Sequence, residues 1–100
     1  MNNSNNDFEN LLRNKIIEFS SYLISKCDNN DQIKMIEDKI GSLRYYEILM
    51  FITFLDSNKL DNYISDLINT INMPDSEEIR QKIKEYLQYF MNVKEIILGN

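Results

Sequence analysis

Apolar side chains recur along this chain at intervals of three and four residues, and no stretch alternates convincingly with a period of two. That is the pattern of helices packed on one face, so an all-α fold is expected. The first stripe reads Phe8, Leu12, Ile16, Phe19, Leu23 and Cys27. It predicts a helix from an N-cap at Asp7 to about Lys26, behind a flexible polar tail over residues 1–6. Asp28-Asn29-Asn30-Asp31 then reads as a polar turn, followed by a short helix with Ile33, Ile36 and Ile40 on one face. Gly41 is the expected stop, since glycine is favoured just past a helix end.

Ser42 is placed to cap a third helix over Leu43–Leu55, and Asp56-Ser57-Asn58 to form the next turn. A fourth helix gathers Leu60, Tyr63, Ile64, Leu67, Ile68 and Ile71 on one side, with Asn62, Ser65, Asp66 and Asn69 opposite. Pro74 should end it. Asp75 and Glu78 have the spacing of a capping box for a last helix reaching Leu98, with Gly99 as its stop. Within that helix Ile79, Ile83, Tyr86, Phe90, Val93 and Ile97 form a heptad-like seam, with Leu87 widening it and Tyr89 on its flank. The expected architecture is a single compact bundle of about five helices over residues 7–98.

The third helix departs from the others because its apolar residues run all the way round. A helix of that kind is buried on every side. It is either a central core helix or one whose Phe51, Phe54 and Leu55 side meets another subunit. Ile17 and Ile24 lie opposite the inward stripe of the first helix, seven residues apart, and could anchor a partner helix. With Tyr89 these residues are the candidate interface. Six tyrosines and five phenylalanines fit such a role, since aromatic residues are enriched at contact surfaces.

Composition narrows the chemistry. There is no histidine, one cysteine and two glycines among 100 residues. A zinc site lacks ligands, and calcium loops started at Asp28 or Asp56 place Ile33, Lys39, Leu60 or Leu67 where glycine or an acidic ligand is required. Gly41 and Gly99 stand alone, so there is no phosphate loop. Cys27 has no histidine to activate it and reads as a soft hydrophobe on a helix face. The carboxylate pairs Glu37-Asp38 and Glu77-Glu78 point about 100° apart on a helix and do not converge. No enzymatic activity, cofactor or metal is therefore expected.

Formal charge is −5, and five successive segments ending at residues 28, 41, 56, 74 and 100 each carry −1. That balance argues against nucleic acid as a partner. Arg80, Lys82 and Lys84 cluster, but Glu77, Glu78 and Glu85 surround them. The N-terminus is polar, and the densest apolar run, Leu43–Leu55, is ~20 Å long as a helix against a ~30 Å hydrocarbon core. No leader or membrane span is expected, and the protein is expected to be soluble and intracellular. Fifteen isoleucines and fourteen asparagines beside no alanine point to an A/T-rich genome.

The leading expectation is a non-enzymatic helical assembly, structural or adaptor subunit acting through contacts with a protein partner or itself, a virus particle being one concrete setting. A small acidic inhibitor of a host protein and an apolar small-molecule carrier are the alternatives.

Overall fold

The computed structural model describes residues 3–99, with side chains from Asp7 onward. Its backbone forms five α-helices and no strand among these residues. They are α1 (Asn3–Ser25), α2 (Asn30–Ile36), α3 (Tyr45–Phe54), α4 (Leu60–Ile71) and α5 (Glu77–Leu98). A π-helical turn, Glu37–Gly41, continues α2, and a 3-10 turn, Ser57–Lys59, precedes α4. Of the tail expected over residues 1–6, Met1 and Asn2 lie outside the described residues. Helix α1 begins at Asn3, so Asp7 is inside it rather than at its cap. By its internal contacts the chain divides into two compact units, residues 1–49 and 50–100.

In the first unit, Leu12, Ile16, Phe19 and Leu23 of α1 are buried as their spacing predicts, with Phe8 and Cys27 half-buried. Each fully buried aliphatic or aromatic side chain contributes ~1.5–3 kcal/mol. Helix α1 packs against α2 and the π turn, where Ile36 and Ile40 are buried. The segment expected to be only a turn also supplies a complete cap. The Asn29 side chain accepts the Gln32 N–H at 3.0 Å, and Gln32 Oε1 accepts the N–H groups of Asp28 at 2.7 Å and Asn29 at 3.2 Å. These bonds satisfy free donors at the start of α2 and hold Gln32 in a buried position.

Gly41 ends the π turn for a different reason from the one expected. Its backbone is not left-handed; instead, a Cβ built on it would lie 2.8 Å from Ser20 Oγ. Glycine here lets the turn approach α1. Ser42 does not cap α3 either. Its N–H bonds Glu37 O at 2.8 Å, closing the π turn, and its hydroxyl donates to Asp38 O at 3.3 Å. The α3 entry is capped from within, by Glu47 Oε1 accepting the Arg44 N–H at 2.8 Å.

In the second unit, α4 buries Leu60, Ile64, Leu67, Ile68 and Ile71 and leaves Asn62, Asp66 and Asn69 exposed. It ends at Asn72, before Pro74 is reached. Asn72 has φ 62°, and the Asn72 N–H to Asn69 O and Met73 N–H to Ile68 O bonds complete a left-handed C-terminal cap. Asparagine tolerates this conformation better than other residues with a Cβ.

The N-cap of α5 is Ser76, whose Oγ accepts the Ile79 N–H at 3.2 Å; Asp75 pairs with Arg80 instead. Gly99, with φ 74°, ends α5 as expected. The buried stripe of α5 is Ile79, Ile83, Leu87, Phe90 and Val93. Leu87 thus takes the place read for Tyr86, which is half-buried, and Ile97 is exposed. A fully apolar side chain suits the enclosed position, whereas a tyrosine on the flank keeps its hydroxyl near water.

Candidate functional site

The C-terminal end of α3 and the start of α4 form the corner where the candidate interface is concentrated. Within α3, Ile52 is buried, Leu55 just past its end is buried, and Phe51 is half-buried. Met50 is 53% exposed and Phe54 79%. The helix is therefore two-sided rather than enclosed all round. Its apolar composition hides that division from sequence, because both faces carry large hydrophobic residues.

Phe51 is fixed by rings. Its centroid lies 6.0 Å from that of Tyr63 and 5.6 Å, nearly perpendicular, from that of Phe90. Tyr89 meets Phe90 edge-on at 5.5 Å. The two contacts with Phe90 are favourable edge-to-face arrangements, and the Phe51–Tyr63 pair is tilted. Burial pushes the pKa of the Tyr63 hydroxyl up to about 12. The end of α3 is held by Lys94, whose ammonium donates to Leu55 O. A cation on a C-terminal carbonyl also complements the helix dipole. Asp56 Oδ1 accepts the Asn58 N–H at 2.9 Å and shapes the turn into α4.

This framework leaves Phe54 projecting beside a cleft of about 240 Å³, which it lines together with Leu55, Leu60, Tyr63, Lys59 and Asp66. Leu55 and Leu60 are buried, so they belong to its floor. Of Phe51, Phe54 and Leu55, the three residues expected to face a partner, only Phe54 is openly exposed. Phe51 is engaged in the ring cluster, and Leu55 is buried. Tyr89 is half-buried against Phe90.

The other two candidates, Ile17 and Ile24, lie in the first unit and share one groove. Ile17 is 54% exposed and Ile24 half-buried. The groove has a volume of about 420 Å³ and runs between α1 and the π turn, with Ser20, Gly41, Ser42 and Glu37 among its lining. The i, i+7 spacing places both isoleucines correctly on one side of α1. The opposing wall depends on the π turn, which the spacing of Ile33, Ile36 and Ile40 does not distinguish from an ordinary helix.

Burial, and secondarily the Asp28 carboxylate, push the Cys27 thiol up, and its Sγ–H donates to Leu23 O at 3.2 Å. The thiol form is thus favoured over the nucleophilic thiolate. Among the described residues no group of three His, Cys, Asp or Glu side chains is placed to hold a metal ion. Among them, too, no helix is long and apolar enough to cross a membrane. Two cationic side chains of α5 have acidic neighbours, Arg80 being bonded to Asp75 and Lys82 lying 3.9 Å from Glu85.

The chain matches no protein-family model, no curated protein and no solved structure, so its function has to be read from its own residues.

Proposed function

We propose that this protein acts through protein–protein contacts rather than catalysis, as an assembly, structural or adaptor subunit inside a cell or a virus particle. The exposure of Phe54 carries this reading. A phenylalanine that is 79% exposed, next to Met50 at 53% and a cleft with an apolar floor, presents a surface that water disfavours. Such patches mark contact sites, and their central aromatic residues commonly dominate the binding energy. This cleft, at about 240 Å³, is smaller than the ~300 Å³ at which small-molecule sites usually begin, which favours a protein contact over a small ligand at this face. The even spread of acidic residues weighs against an inhibitor that mimics a concentrated anion.

A photoreactive phenylalanine analogue at position 54 tests the reading, with the same group at exposed Asn69 as control. In the native source, crosslinking to a defined protein, itself included, is expected from position 54 and not from 69. No adduct from 54, or the same adducts from both positions, would overturn it.

A further inference from the structure

We propose that the Phe54 face is covered by a second copy of this chain, in a two-fold contact where each Phe54 enters the other's cleft. This rests on the reading of that face as a protein contact and names its occupant. A two-fold interface sets one patch against itself, so the patch must be its own complement in shape and charge. The Phe54 face meets both conditions. Its knob, the ring of Phe54, stands beside a hole of about 240 Å³ floored by Leu55 and Leu60, space suited to one aromatic ring.

The rim carries both signs of charge. Asp56, Lys59 and Asp66 are all exposed and form no ion pair among the described residues; Asp56 also accepts the Asn58 N–H. With Phe54 near the two-fold axis, Lys59 of each protomer faces Asp66 of the other, giving two reciprocal pairs around a central aromatic contact. The groove of the first unit lacks this property. Its lining has one charged residue, Glu37, and no base to answer it, so it does not complement itself.

Sedimentation of the full chain tests the proposal, with circular dichroism reporting the fold of each variant. The wild type should show a reversible rise from 12.0 kDa toward twice that mass as concentration increases into the micromolar range. Phe54→Ser should raise the dissociation constant at least ~10-fold while keeping the helical signal. Lys59→Asp and Asp66→Lys should each weaken self-association. An equimolar mixture of the two should restore a dimer, because each charge then meets its opposite across the axis.

A wild type that stays at 12.0 kDa up to ~300 μM overturns the proposal. So does a Phe54→Ser variant that remains dimeric, or a charge-swapped mixture that does not associate. A monomer that still crosslinks through position 54 to a different protein would overturn this inference while leaving the broader reading standing.

Discussion

In residues 1–49 the helical segments meet across a glycine, whereas in residues 50–100 they meet through rings and charged clasps. The first unit brings the π turn onto α1 where Gly41 has no side chain, with Ser20 Oγ 2.8 Å from the missing Cβ position. The second unit packs the half-buried Phe51 and Tyr63 rings around buried Phe90 and ties its helix ends with Lys94 on Leu55 O and Arg80 on Ser65 and Asp75. The two solutions fail differently. A close backbone approach is broken by adding atoms, and a ring cluster by removing them.

The largest expected effect comes from emptying the ring cluster. Phe90 is fully buried and meets both Phe51 and Tyr89 edge-on. Phe90→Ala should cost ~3–5 kcal/mol in urea denaturation, from lost burial and the cavity left behind. Phe90→Leu preserves much of the volume and should cost about 1–2 kcal/mol, which separates filling from ring geometry. If Phe90→Ala costs less than about 1 kcal/mol, the ring cluster does not hold this unit.

The opposite operation addresses the first unit. Gly41→Ala adds one methyl group against Ser20 Oγ, inside normal contact distance, and should cost about 1–2 kcal/mol. In a Ser20→Ala background the nearest atom is the Cβ of residue 20, at 3.5 Å, an ordinary contact. The same substitution should then be neutral or stabilising, because alanine has less backbone freedom to lose on folding. A double-mutant cycle by urea denaturation measures the coupling directly. Equal costs of Gly41→Ala in the two backgrounds would show that the Ser20 hydroxyl does not set the approach.

The contrast between the units also explains what was legible in the sequence. Spacing alone places the buried stripes of α1 (Leu12, Ile16, Phe19, Leu23) and α4 (Leu60, Ile64, Leu67, Ile68, Ile71), whereas in α5 it points to Tyr86 where Leu87 is buried. Capping is less legible because several polar residues compete for each helix end and only geometry chooses. Asn29 with Gln32 at α2 and Ser76 at α5 win such competitions, and Asn72 stops α4 two residues before Pro74. Gly41 stands out in the sequence as a helix stop, but the reason for it, the neighbouring Ser20, is a tertiary fact. At the candidate site Phe54 was legible as an apolar excess on α3. Its companions Lys59 and Asp66 were not, because charged residues in a turn and on an outer helix face read as ordinary solvated surface.

The smallest effect expected sharpens the charged clasp at the start of α5. Arg80 Nε donates to Asp75 Oδ1 at 2.6 Å, and its Nη2 donates to Asp75 Oδ2 at 3.1 Å and Ser65 Oγ at 2.9 Å. The hydrogen bonds from Arg80, with its positive charge, hold the Asp75 carboxyl below its ordinary range. A carboxyl lowered in the folded state contributes stability that is present above its unfolded value of ~3.9 and lost as pH falls through the lower folded value. The pair is exposed to solvent, so its contribution is modest and screened by salt. Asp75→Asn should therefore change the urea midpoint little at pH 7 and reduce its decline below pH ~4. Arg80→Gln should flatten the same acid limb, since Asp75 then has no cation to favour its ionised form. If both variants lose stability in acid in parallel with the wild type, Arg80 acts at this junction through Ser65 rather than through the charge of Asp75.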